Sequence, residues 1–77
     1  MHKQFEALEN DLSQKLYKVF LQKFEGNQSA FARASYCSET TVRRVFNNKQ
    51  RMTLGLFLRF CYALQLDASE ILKSVQI

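Results

Sequence analysis

The sequence predicts an all-α fold: one compact domain over residues 1–77, built from five helices of which the first is extended. With two Gly and no Pro in 77 residues, the chain has few of the breakers that hairpins and long loops require. Its apolar residues recur at three- and four-residue steps over most of the chain, the repeat of a helix face. A third observation concerns stability. A chain this short buries only about 60% of its extended surface, and here 47% of the residues are apolar, including seven Phe and three Tyr. Large rings bury large areas per side chain, so the chain is expected to fold alone as a single domain.

The first helix is expected over residues 4–24. Phe5, Leu8, Leu12, Leu16 and Val19 form one stripe, and Tyr17, Phe20, Leu21 and Phe24 add a second in the later turns. The second half therefore belongs in the core. The earlier turns, with Phe5 and Leu8, either pack back on the domain or meet another chain. Gly26 suits a left-handed helix end, and Asn27 is a good N-cap for a second helix over 28–35. In that helix Phe31 points inward, and Ala32 is small enough to let a neighbouring helix cross closely. Tyr36 and Cys37 form a turn. Ser38 then caps a third helix over 39–47, with Glu39 complementing the positive end of its dipole. Val42 and Val45 face inward and Phe46 closes the end, which leaves Thr40, Thr41, Arg43, Arg44 and Asn47 outward.

Asn47 and Asn48 tolerate left-handed backbone and end the third helix. Lys49–Met52 is a short basic loop, and Thr53 caps a fourth helix over 54–65. Its sequence, LGLFLRFCYAL, is apolar nearly all round and must be covered on most sides. Leu54, Phe57, Leu58, Cys61 and Leu64 are expected in the core, with Leu56, Phe60 and Tyr62 left for another surface. Asp67 and Glu70 have the spacing of a capping box for a fifth helix over 68–75, with Ile71, Leu72 and Val75 inward. The chain has no linker, repeat or low-complexity segment.

The net charge of +4 is unevenly distributed. Residues 1–27 sum to zero, residues 28–59 to +5, and the remainder to −1. Positive charge concentrated on one segment is the electrostatic footprint of a nucleic-acid binder, the plain alternative being a solvated basic face. Two cysteines, Cys37 and Cys61, lie in apolar surroundings without CxxC spacing. They are expected to be reduced, packed thiols. The first residues are too polar for a signal peptide, and no apolar run approaches the ~20 residues of a membrane span. A cytoplasmic location, nucleoid-associated when bound to DNA, is the default expectation. His2 is the one histidine, and no paired acids, Ser/His pattern or phosphate loop offers a catalytic constellation. No enzyme activity, metal, cofactor, small-molecule substrate or membrane partner is expected.

The segment Gln28–Leu72 resembles the phage-repressor-like helix-turn-helix regulators, the Cro/CI-type or XRE family. Gln28 opens the second helix as it often does there, and Phe31-Ala32 resembles the family's Leu-Ala pair. Cys37-Ser38 resembles the entry to its recognition helix, and Val42 and Val45 match its two buried aliphatics. The run MTLGLFLRFCYALQLDASEIL is similar to its fourth and fifth helices. Two departures stand out. Tyr36 occupies the turn position where the family has Gly, so either the turn is rebuilt or the Tyr ring packs well enough to be tolerated. Ser35 replaces an apolar residue. Asn48 can take the role of the Gly that ends the recognition helix.

The resemblance implies a lambda-repressor-like domain that binds double-stranded DNA as a transcriptional regulator, a repressor by expectation, with the 39–47 helix in the major groove. Carried over by position, Ser38, Glu39, Thr40 and Arg44 read bases, and Gln28, Arg43, Lys49 and Arg51 hold phosphates. Each has a plainer alternative: Glu39 as a helix-end charge, Arg44 as its ion-pair partner or a solvated group. Arg33 and Arg59 are surface ion-pair partners or DNA contacts. A homodimer is expected, because so small a module buries little surface on DNA. Its candidate surface is Leu56, Phe60, Tyr62, Val75 and Ile77, or Phe5 and Leu8. The competing function is a protein-interaction module, an antitoxin or accessory regulator on the same scaffold, binding a protein partner and DNA weakly or not at all.

Overall fold

The computed structural model describes the backbone of residues 2–73 and the side chains of residues 7–73. All the regular structure among them is helical: α1 (His2–Phe24), α2 (Gln28–Ala34), α3 (Glu39–Phe46), α4 (Leu54–Leu64) and α5 (Ala68–Lys73). α2, α3 and α4 each stop one residue short of the expected bound, at the capping positions Ser35, Asn47 and Gln65. α1 lies across α2, α3 and α4; α2 packs on α3, and α5 on α4.

The core is aromatic. Leu16 and Phe20 of α1, Phe31 of α2, Val42 and Val45 of α3, and Phe57, Phe60, Cys61 and Leu64 of α4 are buried. Phe31 is its centre, with ring centroids 5.1 Å from Phe20, 5.8 Å from Phe46 and 5.0 Å from Phe60. Such pairs add about 0.5–1.5 kcal/mol each beyond the area they bury. Ala32 is buried where α2 meets its neighbours, as its size allows. Ser35 is fully buried too, and its hydroxyl donates to the carbonyls of Phe31 (2.8 Å) and Ala32 (3.3 Å), which removes the penalty of an unpaired polar group. Lys23 of α1 donates its ammonium to the Leu64 carbonyl at the end of α4, a cation at the negative end of a helix.

The rotation of α4 differs from expectation. Phe60, assigned to an outer surface and to dimerisation, is fully buried, whereas Leu54 and Leu58, assigned to the core, are 69% and 49% exposed. The reason is the aromatic cluster: Phe60 supplies the ring that meets both Phe31 and Phe46, and turning it inward turns Leu54, Leu58 and Tyr62 outward at four-residue steps. Leu56 is half-buried against the core. In α5 Ile71 packs on the core while Leu72, expected inward, is exposed; a helix this short turns only one edge to α4. The expectations for the Phe5 side chain and for Val75 and Ile77 lie outside the described residues. Leu8 is half-buried.

Candidate nucleic-acid interface

α2 and α3 form a helix-turn-helix whose ends are closed by specific side chains. The Asn27 Oδ1 accepts the Ala30 N–H at 3.0 Å, which satisfies one donor at the start of α2 and leaves Gln28 half-buried beside it. At the other end the Tyr36 N–H donates to Arg33 O (3.3 Å) and the Cys37 N–H to Ala32 O (2.9 Å). This double closure is a Schellman motif, which requires a left-handed residue between the two helices.

That residue is Tyr36, at φ +58°. The turn is therefore kept rather than rebuilt, and a bulky side chain occupies backbone that favours Gly, at a cost of about 1–2 kcal/mol. The ring is not buried in compensation: it is 72% exposed and lies 6.2 Å from the Tyr62 ring of α4. Support comes through the backbone instead, since Arg59 of α4 donates Nη1 to the Tyr36 carbonyl at 3.0 Å. Arg59 thus braces the turn. Sequence reading left it as a surface ion-pair partner or DNA contact, because a side chain reaching a carbonyl 23 residues away leaves no periodic signal.

Ser38 opens α3 with φ −79° and ψ 154°. Its Oγ accepts the Thr41 N–H (3.1 Å) and donates to Thr41 Oγ1 (2.8 Å), so the hydroxyl is engaged in holding the helix end. Val42 and Val45 are fully buried, which fixes the rotation of α3 and places Glu39, Thr40, Arg43, Arg44 and Asn47 in solvent. Among the described residues the guanidinium groups of Arg43 and Arg44 make no ion pair, so the pairing of Arg44 with Glu39 is absent there. Both arginines lie in the last turn, where a cation complements the helix dipole.

Asn48, at φ +58°, repeats the left-handed closure, with the Lys49 N–H donating to Arg44 O at 2.8 Å. Lys49 and Gln50 are exposed and Met52 packs on the core. Arg51 reaches back to α1, where its Nε and Nη2 donate to Glu9 Oε1 (3.1 Å) and Oε2 (2.7 Å). The guanidinium holds the Glu9 carboxyl below the usual carboxylate range. Thr53 then caps α4, its Oγ1 accepting the Leu56 N–H at 3.2 Å.

Of the residues singled out from sequence, Glu39, Thr40, Arg43 and Arg44 share the outward side of α3. Lys49 and Arg51 continue from its C-terminal end, and Gln28 sits at the start of α2. The Glu9–Arg51 contact went unforeseen, because its partners are 42 residues apart. Chemistry other than charge and hydrogen bonding is sparse. Both thiols are free, and burial, with a smaller contribution from the Asp67 charge, pushes the Cys61 thiol up. No group of His, Cys, Asp or Glu that could hold a metal ion occurs among the described residues, and none of their helices is long and apolar enough to cross a membrane.

No curated protein and no solved structure matches the chain. A family model does: that of the Cro/C1-type HTH DNA-binding domain matches residues 15–76, from the middle of α1 through both helices of the helix-turn-helix and beyond α5. The match spans most of the sequence and includes every element on which the interface rests, and the chain belongs to the Cro/C1-type HTH DNA-binding domain family.

Proposed function

We propose that this protein is a sequence-specific regulator of transcription, a repressor that binds double-stranded DNA as a homodimer with α3 in the major groove. The observation that carries the reading is the outward side of α3. Arg43 and Arg44 stand there in solvent beside Thr40, on a helix whose other side is held by fully buried valines. Arg44 suits the O6 and N7 acceptors of guanine, Glu39 the N4 donor of cytosine, and Thr40 a hydroxyl contact with a methyl for thymine. Ser38 stands at the rim, where its cap fixes the helix end that meets the bases. Gln28, Arg43, Lys49 and Arg51 take phosphates, which gives affinity without sequence information.

The dimer reading draws on α4. With Phe60 in the core, its exposed stripe is Leu54, Leu58 and Tyr62, extended by Tyr36 beside Tyr62. This stripe is also what the protein-interaction reading would use, and we assign it to a second copy of the chain. Two copies read two half-sites about one helical turn apart. The protein acts in the cytoplasm, on the nucleoid when bound, and carries out no catalysis. Selection of bound duplexes from a random pool tests the proposal. Enrichment of one motif in two copies about a helical turn apart is expected. Failure to enrich any sequence would favour the interaction module, an antitoxin or accessory regulator.

A further inference from the structure

The part of α1 that precedes the family segment, residues 2–14, carries the acids Glu6, Glu9 and Asp11, and one of them reaches the basic loop after α3. We propose that Glu9 is an internal competitor for DNA phosphate: it occupies the Arg51 guanidinium, and DNA binding exchanges the carboxylate for a phosphate. This rests on the reading of the 49–52 loop as a phosphate contact.

Three observations carry it. The pair is bidentate, with contacts of 3.1 and 2.7 Å, and a guanidinium fork recognises phosphate with the same geometry. Exposure is unequal: the Arg51 side chain is 81% exposed and that of Glu9 25%. The carboxylate is set against the body of the protein, and the arginine is the member that an incoming strand can reach. Finally, the loop has other anchors. Lys49 N–H bonds to Arg44 O, Met52 packs on the core, and Thr53 caps α4. Exposed ion pairs add little to stability, so the main effect of Glu9 falls on charge. It neutralises one cation where DNA approaches, and once released it must gather a cation of its own, which offsets part of the counterion release that drives binding.

The test is the affinity of the full chain for a mixed-sequence double-stranded oligonucleotide across a salt series. Glu9→Gln should bind roughly 3–10-fold tighter at ~50 mM salt, with a log–log slope steeper by up to about 0.9. Adding Arg51→Gln should abolish the gain. Asp11→Asn removes the same charge two residues on, where helical residues do not share a face, and should give less than half the gain. Unchanged or weaker binding by Glu9→Gln, or an equal gain from Asp11→Asn, would overturn the proposal. So would an unfolded Glu9→Gln protein, since an exposed ion pair adds too little to hold the fold. Absence of binding by wild type and variants alike would overturn the DNA-binding reading, and this inference with it.

Discussion

α3 and α4 are consecutive helices built alike at their ends and unlike on their sides. Each starts on a hydroxyl cap, Ser38 or Thr53, and each is followed by a left-handed residue, Asn48 or Gln65. α3 buries Val42 and Val45 and turns Thr40 and two arginines to solvent, while Thr41, expected outward, is half-buried beside Ser38. α4 buries Phe57, Phe60, Cys61 and Leu64 and turns leucines and a tyrosine to solvent. A free polar side that carries two arginines suits a polyanion, whereas a free apolar side suits another protein surface. In the proposed function the two helices divide recognition between them, α3 toward DNA and α4 toward a second copy.

The sharpest way to break this comparison is to cut the core of α4. Phe60→Ala should destabilise the protein by about 3–5 kcal/mol in urea denaturation, the range for a buried Phe. Leu58→Ala should stay within ~0.5 kcal/mol, as exposed positions do, and should weaken self-association in sedimentation. Equal losses would mean that α4 has the wrong rotation. On α3 the order reverses. Arg44→Ala should leave stability unchanged and relax preference at one base position by about 1–3 kcal/mol, read from binding to single-base variants of the selected site. Lys49→Ala should instead weaken all sequences alike and lower the salt slope by about 1.

Tyr36→Gly sharpens the view of what joins the two helices. Relief of the left-handed strain, less the entropy that Gly adds to the unfolded chain, should stabilise the protein by about 0.5–1 kcal/mol in thermal or urea melts. A loss would mean that the exposed Tyr36–Tyr62 pair contributes more than the strain. The smallest effect expected is on pH dependence. Glu9 and Asp67 have carboxyls lowered in the fold, Glu9 chiefly by its hydrogen bond from Arg51 and Asp67 chiefly by that from Ser69. Their contribution is present at neutral pH and is lost as pH falls below the usual carboxylate range of about 4 and through the lower folded values. The Cys61 thiol, raised by burial, has the opposite sign: its contribution holds below the ordinary thiol value of about 8.5 and declines as pH rises past it. Melting temperature against pH should therefore be broadest around neutrality.

What was legible in the sequence follows the same division. A helix with a polar side announces its rotation, and so the burial of Val42 and Val45 and the solvent side of α3 could be read directly. The caps at Asn27, Ser38 and Thr53 were equally plain, because a short polar side chain before an apolar run has one common use. α4 has apolar residues in nearly every direction, so its rotation is decided by which ring completes the Phe20–Phe31–Phe46 cluster, a fact of packing that periodicity does not contain. The family pattern puts Gly at the left-handed turn and leaves open whether Tyr36 can take that backbone. The outcome, and its brace by the Arg59 contact to the Tyr36 carbonyl, depend on the folded arrangement of two helices. The Glu9–Arg51 pair is a contact of the same kind, joining the start of the chain to the loop after α3.

The most direct measurement of the central claim is the affinity of the wild-type chain for duplex DNA over a range of salt. Arg43, Lys49 and Arg51 are the cations proposed to hold phosphates, and each contact made adds about 0.9 to the log–log slope. Tight binding is expected at ~50 mM salt, falling steeply, by orders of magnitude, as salt rises through the physiological range. An absence of binding at that low salt, or an affinity indifferent to salt, would contradict it.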